Sequence, residues 1–166
     1  MRHFQPKLPF ALLTAGLLVL AACGDSATEP HDHDDDEDHA EEVEGVILSL
    51  SGQNIAAYNG DTGQWTGELE VEPGEETAHI GVTFVDHSAQ AVTLGDDFYL
   101  LVEVEDESVA EFEQDTPGEF GGHLHGGNAE GDTEITFSLM HGAVGSGHAD
   151  FVTAPLHVHV HEHDDG

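Results

Sequence analysis

Four groups of histidines and carboxylates carry the chemistry this chain can offer. His123-Leu124-His125 is a His-X-His string, and residues two apart in a strand share one face at ~6.6 Å, so both imidazoles can close on one ion. His79 opens an apolar run, and Asp86-His87 closes it. His141 stands before the glycine-rich turn Gly142 to Gly147, and His148 and Asp150 follow the turn on one strand face. The string Leu156-His157-Val158-His159-Val160-His161-Glu162-His163 alternates apolar and imidazole side chains, and Glu162, Asp164 and Asp165 add carboxylates. Imidazole with carboxylate is a ligand set for zinc, copper or nickel. An open ladder of this kind suits capture and exchange better than it suits a buried catalytic ion. A second reading stays open, in which these histidines are the polar half of an amphipathic edge strand or polar residues flanking a turn.

The charge balance narrows the choice. The chain of 166 residues has 35 Asp and Glu, 14 His and only two basic residues, Arg2 and Lys7. Beyond Lys7 the cations it can hold closely are protonated histidines and metal ions. Ordinary salt bridges and phosphate sites are excluded, and so is nucleic acid, whose counterions Lys and Arg must displace. Cys23 is the only cysteine, so no disulfide or Cys-ligated zinc site forms within one chain.

Catalysis is not expected. Ser146, His148 and Asp150 lie too close together on a glycine-rich turn to form a hydrolase triad, and nothing specifies a nucleophile with an oxyanion hole. His123-Leu124-His125 with Glu130 resembles the first half of a cupin metal motif, without the second half downstream. His157-Val158-His159 resembles a copper-zinc superoxide dismutase strand, without the further ligands or the disulfide of that fold.

The elements that must position these residues follow from the patterning. Residues 1–22 carry Arg2 and Lys7, an apolar run from Phe10 to Leu20 and the small pair Ala21-Ala22, which reads as a secretory signal too short for a ~20-residue span. Leu20-Ala21-Ala22-Cys23 resembles the bacterial lipobox, which implies lipidation of Cys23. Gly24 after it implies an outer-membrane anchor in a Gram-negative cell. Residues 23–44, with the run His31-Asp32-His33-Asp34-Asp35-Asp36-Glu37-Asp38-His39, are expected to be a disordered acidic tether, with or without a weak metal-collecting role. Residues 45–166 suffice for one domain.

In that domain apolar and polar residues alternate in short runs between Gly, Asn, Asp and Pro, the signature of half-buried strands. Strands are predicted at 46–50, 55–58, 65–71, 77–85, 98–104, 109–113, 122–125, 133–140 and 149–161. No stretch shows a helical face, and many short strands favour an all-β sandwich of two antiparallel sheets.

Three motifs in order add a family resemblance. Leu69-Glu70-Val71-Glu72-Pro73-Gly74-Glu75, then Asp106-Glu107-Ser108-Val109-Ala110, then Ala129-Glu130-Gly131-Asp132-Thr133-Glu134-Ile135-Thr136, with a long strand ending Phe84-Val85-Asp86 between the first two, resemble bacterial immunoglobulin-like domains of the invasin and intimin type. The resemblance covers residues 66–160 and implies an immunoglobulin-like fold and surface exposure, with no catalytic residues. The extra strands before residue 66 and the histidine content depart from that family. Its strand order implies that Asp86, His87, His141, His148 and Asp150 meet at one end of the sandwich. It also makes the strand of His79 a neighbour of the strand bearing His123 and His125.

The leading expectation is a lipid-anchored protein of the cell envelope that binds divalent transition metal, zinc first, for capture, buffering or delivery to a transporter or other envelope protein. The alternative is a structural or adhesive module whose acidity is adaptation to salt. Calcium is a third, diffuse possibility, since no loop has EF-hand spacing.

Overall fold

Alternation in the sequence becomes alternation in burial. Along β5, Ile80–Val85, the side chains of Ile80, Val82 and Phe84 are buried, and along β11, Leu156–Val160, those of Leu156, Val158 and Val160 are buried while His157 between them is exposed. The computed structural model describes residues 43–162. The predicted signal segment, Cys23, the tether up to residue 42, and His163 lie outside the described residues. The remaining strands are β1 Gly45–Leu50, β2 Gln53–Asn59, β3 Gln64–Thr66, β4 Leu69–Val71, β6 Phe98–Val104, β7 Ala110–Glu113, β8 Gly121–Gly126, β9 Gly131–His141 and β10 His148–Val152. No helix occurs among the described residues.

The strands form two sheets. One has the order β3-β2-β1-β5-β8-β7; in the other β6 pairs one edge of β9, and β10 and β11 pair its opposite edge, with β4 outside β11. The run β1-β5-β8-β7 facing β6-β9-β10 has the strand order of an immunoglobulin-type sandwich. Val46, Leu48, Ile80, Val82, Phe84 and Leu124 of the first sheet share one buried cluster with Leu100, Ile135, Phe137, Leu139, Leu156 and Val158 of the second. The expected all-β sandwich is the fold of the described residues.

Three predicted strands differ from those observed. The run 65–71 divides at Gly67, whose φ is +83°, so β3 stays in the first sheet while β4 crosses to the second. A side chain at Gly67 would put its Cβ 3.0 Å from the Ala56 Cα. The run 149–161 divides at Thr153-Ala154-Pro155, where proline has no N–H to give to a ladder. That break is anchored: Thr153 N–H donates to Phe137 O at 3.0 Å, Phe137 N–H donates to Thr153 Oγ1 at 3.1 Å, and the Trp65 indole N–H donates to Ala154 O at 2.7 Å. The run 77–85 begins only at Ile80, because Thr77 spends its N–H and its hydroxyl on the backbone of Leu124. A further correction concerns β11. It is no edge strand, since it pairs antiparallel with β9 and parallel with β4, which also makes its sheet mixed.

Candidate metal centre

The clearest convergence lies where β6, β9 and β10 meet. Register places Phe98, His141 and His148 side by side across three strands, and the Phe98 ring stacks on the His141 imidazole with centroids 4.6 Å apart and planes 13° from parallel. Ala149 faces Met140 and Phe151 faces Leu139, so Asp150 is an extra residue with no opposite number. A bulge of this kind re-aims a side chain. It serves Asp150, whose Oδ1 lies 3.0 Å from His148 Nε2 and whose Oδ2 lies 3.7 Å from His141 Nδ1. The ligand atoms of His141, His148 and Asp150 all lie within 4.8 Å of one another.

The other nitrogen of His141 is committed. Nε2–H donates to Asp97 Oδ2 at 2.6 Å, and an ionised carboxylate only accepts, so the proton sits on Nε2 and Nδ1 keeps its lone pair toward Asp150. This is the carboxylate–histidine arrangement that orients metal ligands. The hydrogen bond from His141 holds the Asp97 carboxyl below the ordinary aspartate range. Donors ~2.1 Å from a tetrahedral zinc stand about 3.4 Å apart. The 3.0 and 3.7 Å spacings run to different oxygens of Asp150, and with one ligand atom from each residue the three atoms lie within 4.8 Å of one another, so an ion would draw them in.

A second group forms on the other sheet, around the β7–β8 loop. His79 Nε2 lies 3.7 Å from Glu119 Oε1, and His123 Nε2 lies 3.8 Å from Asp115 Oδ2. The rings of His79 and His123 meet edge to face at 5.4 Å. Here Asp115 and Glu119 join His79 within ligand distance of one another. His123 Nδ1–H donates to Thr77 O at 3.0 Å. That bond, opposed by partial desolvation and aided by Asp115, Glu76 and Glu113, raises the His123 pKa above the ordinary imidazole value.

The remaining predicted residues go elsewhere. His125 shares a strand with His123 but turns to Glu76 and Glu113, at 3.5 and 3.4 Å. The two imidazoles of the His-X-His string therefore serve different carboxylates. His87 does not join His141 and His148: it sits exposed in a turn of the other sheet, where Asp86 Oδ1 accepts the N–H groups of Ser88 and Gln90. Those backbone bonds, that to Gln90 first, also keep the Asp86 carboxyl below its usual range.

The C-terminal ladder is closed in by acids. His157 and His159 lie opposite Glu134 and Asp132 of β9, their rings 6.3 Å apart. His159 is gripped on both nitrogens, by Asp132 at 2.5 Å and by Glu68 at 3.2 Å, and the Asp132 bond above all raises its pKa. An open cleft lined by Glu68, Glu70, Glu130, Asp132, His159 and His161 runs beside it. His159 is thus a counter-ion among four carboxylates more than an open ligand.

Asp97, Asp115 and Glu119 were not among the predicted ligands. In a chain with 35 acidic residues, no single carboxylate stands out; Asp97 is marked only by lying in the strand-entry turn before Phe98. No family model, no curated protein and no solved structure matches this chain.

Proposed function

We propose that this is a lipid-anchored protein of the cell envelope that captures a divalent transition metal, zinc first, through His141, His148 and Asp150, and holds it for buffering or delivery to a transporter. One observation carries the reading: two imidazole nitrogens face the two oxygens of one carboxylate at near-ligand spacing, while Asp97 fixes the first imidazole from behind. Three protein donors leave room on the ion for water or a transferring ligand. His148 and Asp150 are exposed, which favours exchange over permanent retention. The anchor rests on the lipobox resemblance at Cys23, and the surface role on the invasin-type motifs. The reading is binding rather than catalysis.

Calorimetric titration with zinc, copper and nickel at neutral pH tests this. Wild type should bind, His141→Ala and His148→Ala should each lose the corresponding isotherm, and binding should weaken on acidification as imidazoles protonate. Affinity no better than about millimolar for all three ions would end it.

The position of His159 favours a second reading. A histidine spent as counter-ion among carboxylates is what a salt-adapted structural or adhesive module would need. In that case sodium chloride should stabilise the fold as well as stoichiometric metal does, by screening carboxylate repulsion.

A further inference from the structure

Two carboxylates in this molecule are drawn together by the backbone, and among the described residues there is no Lys or Arg to neutralise them. In the β7–β8 loop the Asp115 N–H donates to Glu119 Oε1 at 2.9 Å, which draws the two acids to one side. The loop itself is pinned. The Gln114 amide donates to Glu119 O at 2.7 Å and to Leu100 O at 3.3 Å, and Leu100 N–H donates to Gly118 O at 3.0 Å. Both acids therefore sit on a fixed frame rather than a free strand end.

The imidazoles reach this frame by two separate devices. The His79 ring lies over Gly121, where a Cβ would come 2.8 Å from His79 Nε2; a side chain at 121 would push the ring away from Glu119. His123 is oriented by its backbone bond. Because the Thr77 carbonyl only accepts, Nδ1 carries the proton and Nε2 is left with its lone pair toward Asp115. Within each pair the spacings of 3.7 and 3.8 Å exceed the ~3.4 Å of a tetrahedral ion's ligands by a few tenths of an ångström. The ligand atoms of His79, Asp115 and Glu119 lie within 4.8 Å of one another, and His123 Nε2 has to draw in to join them.

We propose that His79, Asp115 and Glu119, completed by His123 Nε2, form a second divalent-metal centre, which ties the β7–β8 loop to the entry of β5. Its two carboxylates make it a harder donor set than the His141 centre, suited to first-row ions that accept mixed nitrogen and oxygen ligands. It shares no residue with the His141 centre and stands whether or not that centre loads.

Zinc titrated into the full chain, followed by long-range proton–nitrogen correlation of the imidazole rings, tests it residue by residue. The Nε2 resonances of His79 and His123 should move to metal-bound positions while His123 Nδ1 keeps its proton. The double variant Asp115→Asn/Glu119→Gln should weaken that response by more than about tenfold, the loss already expected from an outer partner, with His141 and His148 responding as in wild type. Gly121→Ala should do the same without removing a donor. Asp115→Asn alone, which leaves the glycine in place, is the fallback if the sheet does not tolerate alanine. Rings of His79 and His123 that stay unmoved at saturating zinc would overturn the proposal. So would a response that survives loss of both carboxylates. Silence at His141 and His148 with movement at His79 and His123 would instead remove the first centre and keep the second.

Discussion

Asp97 touches no ion in the proposed His141 centre, yet its removal should weaken zinc binding. Its Oδ2 takes the His141 Nε2 proton at 2.6 Å and so decides which ring nitrogen faces Asp150. Outer partners of this kind are worth about 10- to 100-fold in metal affinity. The Asp97 side chain is 51% exposed, and water already screens much of its charge, so Asp97→Asn belongs at the lower end. Asparagine keeps an oxygen for the Nε2 proton and loses only the charge. About tenfold weaker binding is expected. Asp97→Ala also frees the ring to turn within its stack on Phe98 and should approach the upper end. Competition against a chromophoric chelator at pH 7.5 reads both, with the far-ultraviolet spectrum as control for the fold. The backbone carbonyl of Asp97, which accepts the Gly142 N–H at 2.8 Å, survives either change, so the turn should remain. Wild-type affinity in both variants would refute the assignment of His141 Nδ1 as the ligand atom.

Three further outcomes follow from particular contacts. His159 and His123 have raised pKa values in the fold, so their contribution is complete below the unfolded value near 6.5 and is lost as pH rises through the folded values. Chelator-treated protein should therefore resist urea less well at pH 9 than at pH 6, and His159→Gln should flatten that difference. Gly67→Ala, at φ +83° with Ala56 Cα 3.0 Å from the new Cβ, should cost on the order of 1–3 kcal/mol in denaturant unfolding; a neutral result would mean that β3 and β4 can rejoin. Trp65→Phe removes the indole donor to Ala154 O while keeping an aromatic ring beside Phe137, and should cost about 1 kcal/mol, read by circular dichroism because the reporter tryptophan is gone.

The sandwich was legible because each strand covers one face of a core, and period-two alternation records that directly in runs such as Ile80-Gly81-Val82-Thr83-Phe84. Strand breaks were harder to read. Gly67 and Pro155 interrupt runs whose alternation continues on both sides, and what forces each break is a contact distant in sequence: Ile55 and Ala56 behind Gly67, Phe137 and Trp65 around residues 153–154. At the His141 centre all three donors, His141, His148 and Asp150, were legible from their places around the glycine-rich turn, whereas the outer partner Asp97 was not. At the second group the histidines were legible, but Asp115 and Glu119 come from a loop whose path depends on the Gln114 amide, which leaves no periodic trace. His125 and His87 diverge from their expected groups for the same reason, since neighbouring acids that no pattern singles out capture the one and a tight turn carries off the other.

The interruption at Thr153-Ala154-Pro155 also bears on the order in which the molecule assembles. β10 closes on β9 across a short glycine-rich turn, so His141, His148 and Asp150 all belong to one local hairpin. β11 pairs with β9 nearby in the chain but also with β4, most of the domain earlier in sequence, a contact with a larger chain-closure entropy. A single unbroken strand would have bound the two events together. Divided as it is, the chain can bring the three donors of the His141 centre together before the sandwich is complete, and Asp97 arrives to fix the imidazole only when β6 docks.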